Sequence, residues 1–157
     1  MNDWLPLIPG IAQKYQVDPL LIRAIVMVES GGNTWAYRYE NNWKYFEQTI
    51  FYAKQLGLSH DSEKNAQACS WGLMQVMGSV CRELGWRDHL TKVLQPHIGL
   101  DLGTKKISKL LLQYKDVRDA IASYNAGSPV VDIKTGRYAN YEYVGRVMSA
   151  FKSYKGE

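Results

Sequence analysis

The sequence predicts an all-α domain of about seven helices, and three observations favour this fold class. Apolar residues recur three and four positions apart along most of the chain, and no stretch alternates in the way of a half-buried strand. Several of these periodic segments begin at a capping residue or a proline and end at a glycine. The length of 157 residues suits one domain, and 46% apolar with 22% charged residues is ordinary for a globular protein.

The first half of the chain carries three helix patterns with clear stop signals. A proline-containing first turn leads into a periodic segment that reaches Tyr15. Asp18-Pro19 then places a capping residue before a proline at the first helical position, and Gly31-Gly32 ends the apolar stripe that follows. A third pattern starts at Trp43 and stops at Gly57, and the polar residues 59–65 predict a loop.

The second half predicts four more helices. Apolar residues share one helix face between positions 73 and 84, and Pro96 opens a longer helix that reaches Tyr114. Asp116 is a suitable cap for a short helix that Gly127 closes. After a loop that contains proline and glycine, a final helix carries the apolar residues of 144–151.

Charge and hydropathy exclude several partners. The formal net charge of +4 suits an acidic partner, but the Lys and Arg residues are scattered, so we expect no nucleic acid. No apolar run approaches the roughly 18 residues of a membrane-spanning helix. The first residues lack a basic segment followed by an apolar stretch, so we predict no secretory signal.

We expect free thiols and no metal or other cofactor. If most of the segment between Cys69 and Cys81 is helical, the two residues lie on the order of 18 Å apart, which is too far for a disulfide. His60, His89 and His97 are not spaced as ligands on one helix face.

One carboxylate stands out from the helical pattern. Glu29 follows Ile25 by four residues and Ile22 by seven, which places it on or beside the apolar face of its helix. It also occupies the last turn, where the helix dipole disfavours negative charge. We expect both effects to raise the pKa of this carboxyl, as general-acid cleavage of a glycosidic bond requires. Periodicity alone leaves open a rim glutamate that reaches solvent or pairs with a lysine.

Four motifs follow one another along the chain: Glu29-Ser30-Gly31-Gly32, Gly72-Leu73-Met74-Gln75, Ala122-Ser123-Tyr124-Asn125-Ala126-Gly127, and Tyr143-Val144 with Arg146-Val147. In this order they resemble the signature motifs of the soluble lytic transglycosylases, relatives of the goose-type lysozymes. The last motif is similar to the C-terminal tyrosine–valine segment of that family. The resemblance covers most of residues 10–154.

The resemblance implies one lysozyme-like helical domain over residues 1–157, with a cleft that binds the glycan strands of peptidoglycan. Such enzymes cut the bond between N-acetylmuramic acid and N-acetylglucosamine without adding water. By the family match, Glu29 protonates the glycosidic oxygen, and the N-acetyl group of the muramic residue stabilises the developing cation. Glu29 then removes the proton of the C6 hydroxyl, which closes a 1,6-anhydro ring.

The matched residues near Glu29 are expected to support it or to bind sugar. Ser30 is expected to hydrogen-bond the Glu29 carboxylate, or to act only as a helix-end cap. Met74 is expected to form an apolar wall of the cleft, or to pack in the core. Gln75 offers a donor and acceptors to an acetamido group.

Three matched residues lie in the second half of the chain. Tyr124 and Tyr143 are expected to place hydroxyls near Glu29 or the sugar, with core tyrosines as the alternative. Asn125 is expected to bind sugar or only to hold its turn.

Residues 34–70 are longer than the connector of compact family members and are similar to insertions in phage-type cell-wall enzymes. We expect this insertion to build one wall of the cleft. A second carboxylate that faced Glu29 across the sugar would activate water and make the enzyme a hydrolytic muramidase. The acidic residues of the insertion are Glu40, Glu47, Asp61 and Glu63.

Two further expectations concern role and location. A non-catalytic peptidoglycan-binding or tail-structural module is the alternative from another functional class. A compact, basic, signal-less domain that cuts the cell wall fits a phage lysin or an enzyme carried in a virion. We expect it to act as a monomer on the bacterial cell wall, in the periplasm or outside the cell.

Overall fold

The computed structural model describes residues 3–156, and the chain is mostly helical, as the sequence predicts. Short 3-10 helices cover Leu5–Leu7 and Leu90–Leu94. The α-helices of the described residues are α1 (Ile8–Tyr15), α2 (Pro19–Ser30), α3 (Thr49–Leu56), α4 (His60–Gln67), α5 (Gly78–Glu83), α6 (Pro96–Tyr114), α7 (Val117–Ala126) and α8 (Tyr141–Lys155).

Local capping explains why α2 and α7 begin and end where the sequence predicts. The carboxylates of Asp18 and Asp116 accept hydrogen bonds from the amide of the second helical residue, at 2.9 and 2.7 Å. Gly31, with φ of +61°, follows the last residue of α2, and Gly127, with φ of +82°, follows α7. Glycine adopts this left-handed conformation without the steric cost of a Cβ, so each helix stops there.

A small antiparallel sheet was not expected from the sequence. Its strands are β1 (Tyr37–Tyr39), β2 (Cys69–Trp71) and β3 (Val76–Met77), with β2 in the centre. The expectation of no strand, and of one helix face running from Leu73, is therefore wrong at this point. Strands of two and three residues are too short to show an alternating pattern.

The helix predicted to start at Trp43 begins instead at Thr49. Before it, the backbone amide of Glu47 donates to Gln67 Oε1 and the Glu47 carbonyl accepts from Gln67 Nε2, both at 2.7 Å. These groups are satisfied by side chains elsewhere in the fold, so the segment does not need a helix to pair its polar atoms.

The predicted loop over 59–65 is wrong, because this segment belongs mainly to α4. The Ser59 hydroxyl accepts the Ser62 amide at 3.0 Å and caps the helix. The buried residues of α4 are Glu63 and Gln67, four positions apart. Its inward face is therefore polar, and a search for apolar periodicity cannot find it.

The described chain divides into two compact units. Unit 1 comprises residues 3 and 29–103, and unit 2 comprises 4–28 and 104–156. Buried residues of unit 1 include Tyr52, Leu73, Val76 and Cys81; those of unit 2 include Leu21, Ile25, Ile121 and Val147. A single domain over 1–157 stays a prediction.

Cys69 and Cys81 are both free and buried. The segment between them is not the helix assumed above, because it contains parts of β2, a turn, β3 and the start of α5. Within residues 3–156, no helix is long and apolar enough to span a membrane.

Candidate active site

Glu29 is the penultimate residue of α2 and is half-buried, where the sequence places it. Ile22 and Ile25, which precede it on the helix, are fully buried. Gly31 and Gly32 both have positive φ, so the backbone leaves the helix directly after the acid. A carboxyl in this position loses part of its hydration and lies near the negative end of the helix dipole. Its raised pKa stays a prediction.

Ser30 connects the end of α2 to the turn formed by Gly72-Leu73-Met74-Gln75, called here the 72–75 turn. Its hydroxyl donates a hydrogen bond of 2.8 Å to the carbonyl oxygen of Leu73. This bond gives Ser30 an anchoring role between two of the motifs. The expected hydrogen bond between Ser30 and the Glu29 carboxyl stays a prediction.

The 72–75 turn is held by backbone conformation and by the Gln75 amide. Gly72 has φ of +68°, and a Cβ there would lie 2.7 Å from the Val93 carbonyl oxygen, so only glycine fits. Gln75 donates to the carbonyls of Ala36 and Gly72 at 3.0 and 2.8 Å and accepts from the Ser70 hydroxyl at 2.9 Å. Both amide hydrogens are thus used within unit 1, and a donor role toward substrate would require releasing one of them.

Met74 is fully buried, with 0% of its surface exposed. A Cβ added at Gly103 would overlap the Met74 side chain, so the two residues are in close contact. Met74 therefore packs in the core, which was the alternative to an open cleft wall. It can shape the site only by supporting the backbone of the 72–75 turn.

Tyr124 and Tyr143, in α7 and α8 of unit 2, are both buried, with 2% and 6% of their surfaces exposed. The Lys106 ammonium lies 4.1 Å from the centroid of the Tyr124 ring and donates to the Tyr124 carbonyl oxygen at 2.7 Å. These contacts place a positive charge on the ring face and hold the last turn of α7. The predicted position of the two hydroxyls near Glu29 stays a prediction.

Asn125 is exposed and bonded to a residue that sequence reasoning missed. Asn140, directly before α8, donates from its amide to Asn125 Oδ1 and to the Ala122 carbonyl oxygen, both at 3.0 Å. This joins the end of α7 to the start of α8. The amide hydrogens of Asn125 itself have no acceptor within residues 3–156. A lone asparagine in a loop gives no signal in sequence beyond turn propensity.

Of the acidic residues in the insertion, Glu63 has a structural role. Its two oxygens accept from Arg82 Nε and Nη2, both at 2.9 Å, and Gln67 Nε2 donates to Oε1 at 2.8 Å. Glu63 and Arg82 are both buried, which leaves Glu63 unsuited to activate water. Glu40 pairs at the surface with Arg38, at 2.6 Å.

The titratable groups do not form a metal site in the part of the chain that is described. Among residues 3–156, no group of three or more His, Cys, Asp or Glu could hold a metal ion. Burial, with a smaller contribution from the Glu40 carboxylate, raises the pKa of the Cys69 thiol. Cys69 is therefore a thiol and not a thiolate at neutral pH.

In a comparison with known families, residues 6–143 match the family model described as the transglycosylase SLT domain. The matched range covers far more than half of the chain and includes every candidate residue from Glu29 to Tyr143.

Proposed function

We propose a lytic transglycosylase reaction from one premise: the chain belongs to the transglycosylase SLT domain family, whose model matches residues 6–143. Membership makes the peptidoglycan of the cell wall its substrate. The proposal is that the chain cleaves the β-1,4 bond between N-acetylmuramic acid and N-acetylglucosamine, with Glu29 as both acid and base.

In the proposed reaction Glu29 first donates its proton to the glycosidic oxygen, and the N-acetylglucosamine side leaves as an alcohol. The acetamido oxygen of the muramic residue stabilises the positive charge at C1. The Glu29 carboxylate then takes the proton of the C6 hydroxyl, whose oxygen bonds to C1. No water is consumed, and Glu29 recovers its proton for the next cycle.

The observation that carries this proposal is the position of Glu29 in a half-buried last turn, next to an anchored residue. The bond from Ser30 to Leu73 ties the residue after the acid to the 72–75 turn. A catalytic acid needs such support, because small errors in position reduce its rate strongly.

The remaining candidate residues have narrower proposed roles. Asn125 offers its amide hydrogens to a sugar acetamido or hydroxyl oxygen. Gln75 and Met74 position the 72–75 turn. Tyr124 and Tyr143 are proposed to place their hydroxyls at the acid or the sugar.

The test is digestion of purified sacculi by the parent chain and by Glu29→Gln, with mass analysis of the products. The matched control is Glu83→Gln, which removes one exposed carboxylate in α5. We expect Glu29→Gln to lower the rate by about 100-fold or more, the usual weight of a general acid, and Glu83→Gln to leave it unchanged. The parent products should end in anhydro sugars, each lighter by one water than a hydrolytic product. Equal digestion by parent and Glu29→Gln would end the assignment.

The alternatives give different products. A hydrolytic muramidase that uses Glu40, Glu47 or Asp61 as second carboxylate releases only reducing ends. A non-catalytic wall-binding module releases no fragments and still sediments with sacculi. Delivery by a phage and the monomeric state stay predictions, tested by cell fractionation and by the elution volume of the purified chain.

A further inference from the structure

Unit 2 contains a cavity of about 530 Å³ that none of the candidate sugar-binding residues lines. Its walls are formed by Arg118 at the start of α7, by Arg137 and Tyr138 in the loop before α8, and by one face of α8 that includes Tyr141 and Lys152. Its volume is in the range of sites that bind small ligands.

The cavity lies on a different face of α8 from Tyr143. Its lining residues on this helix include Tyr141, Val144, Met148 and Lys152, which recur at helical spacing. Tyr143 is buried and does not line the cavity. Tyr124 and Asn125, near the other end of α7 from Arg118, are also absent from its walls. The cavity is therefore separate from the residues of unit 2 proposed to contact the sugar.

Positive charge dominates the cavity. Arg118, Arg137 and Lys152 all line it, and none of them forms an ion pair with a carboxylate among residues 3–156. The neighbouring Asp119 accepts a hydrogen bond of 2.5 Å from the Tyr138 hydroxyl. This bond raises the pKa of Tyr138 to about 12, so the phenol stays neutral. Three cations with no ion-pair partner favour an anionic ligand.

The other walls indicate what kind of anion fits. The Arg137 guanidinium lies 5.4 Å from the centroid of the Tyr141 ring, which holds the charge against an aromatic surface. Val144 and Met148 add apolar surface. A ligand that carries both carboxylates and short aliphatic side chains can contact the cationic walls and the apolar walls together. Guanidinium groups bind carboxylates through two parallel hydrogen bonds. A strand of phosphates would need a linear basic stripe, whereas these three cations line a single cavity.

We propose that this cavity binds the free carboxylates of the stem peptides carried by peptidoglycan. The inference rests on the proposed function, because it takes the ligand from the same polymer. The peptides extend from the muramic residues of the strand being cut, so binding them would favour peptide-bearing strands over bare glycan.

The test compares Arg118→Gln/Lys152→Gln with the control Lys54→Gln/Lys109→Gln, which removes the same charge from exposed positions elsewhere. Each is measured on peptide-bearing glycan strands and on strands stripped of peptides by an amidase. The quantity compared is the rate on peptide-bearing strands divided by the rate on stripped strands. Loss of two exposed charged contacts is expected to lower this ratio about fivefold, and the control is expected to keep the parental ratio. An unchanged ratio in the cavity variant, or an equal fall in the control, overturns the proposal.

Direct binding is measured with a soluble stem tetrapeptide that has free carboxylates, with the same peptide amidated, and with inorganic phosphate. We expect the parent to bind the free peptide about tenfold more tightly than the amidated one, and the cavity variant to lose this preference. Equal binding of both peptides, or binding of phosphate alone, overturns the proposal. If the parent digests neither kind of strand, the proposed function fails, while the peptide measurements still decide whether the cavity binds carboxylates.

Discussion

The Ser30 hydroxyl donates a hydrogen bond of 2.8 Å to the Leu73 carbonyl oxygen, across 43 positions of sequence. It joins the residue after the candidate acid to the 72–75 turn, so that two motifs distant in sequence form one support. Both residues belong to unit 1, and the bond is partly buried. The position of Glu29 therefore depends on a contact outside its own helix.

Replacing Ser30 by Ala tests this support. We expect a loss of about 1 kcal/mol in the free energy of unfolding, as for one neutral hydrogen bond, and a fall of about tenfold in the digestion rate. The matched control is Ser108→Ala, because Ser108 also donates a partly buried bond to a backbone carbonyl, that of Tyr15, at 2.9 Å. The control should lose similar stability but keep its rate. Rates are measured under conditions in which both variants are fully folded. Equal rates in the two variants would contradict a role of Ser30 in supporting Glu29.

Gln75→Ala removes three hydrogen bonds from the 72–75 turn at once. We expect a loss of about 1–3 kcal/mol in urea unfolding, because three hydrogen bonds are lost while the Ala36 and Gly72 carbonyls keep their bonds from backbone amides. Gln113→Ala, at an exposed position of α6, serves as the control and should change stability by less than about 0.5 kcal/mol. A Gln75 variant as stable as the control would show that the turn does not depend on these bonds.

The ion pairs of Glu63 and Glu40 differ in burial and should differ in energetic weight. Glu63→Gln breaks a buried pair with Arg82 and should cost about 3–5 kcal/mol, because a buried cation loses its counter-charge. Glu40→Gln breaks an exposed pair with Arg38 and should cost at most about 1 kcal/mol. Chemical denaturation of both variants measures this difference. Anhydro products from folded Glu63→Gln would agree with its structural role, whereas a switch in product type would contradict it.

The hydrogen bond from the Tyr138 hydroxyl to Asp119 predicts that Tyr138 ionises at a higher pH than an ordinary tyrosine. The pKa of Tyr138 is raised to about 12, first by this hydrogen bond and then by burial. A pKa raised in the folded state means that the bond stabilises the fold fully below pH about 10 and is lost as pH rises through about 12. In an ultraviolet titration, Asp119→Asn should move one tyrosinate step toward about 10, and Tyr138→Phe should remove that step. If the tyrosinate step near pH 12 persists in Tyr138→Phe, it belongs to another tyrosine and the prediction is wrong.

Local signals predicted the long helices and the candidate acid. Caps such as Asp18 and Asp116, the glycines after α2 and α7, and apolar spacing all act between residues close in sequence, so they can be read without the fold. Sequence pattern failed at the sheet, where strands are very short, and at α4, where Glu63 and Gln67 make the inward face polar.

By itself, the sequence determined the helical class, the position of Glu29 in the last turn of its helix, and the order of motifs that identifies the family. Only the tertiary structure decided that Ser30 bonds to Leu73 and that the Gln75 side-chain amide donates to backbone carbonyls at the 72–75 turn. The same holds for the cavity that Arg118 and Lys152 line together. The physical reason is the separation in sequence between the residues that interact. Helix caps and apolar periodicity depend on neighbours a few residues away, whereas hydrogen-bond partners and cavity walls are chosen among residues that only the folded chain brings together.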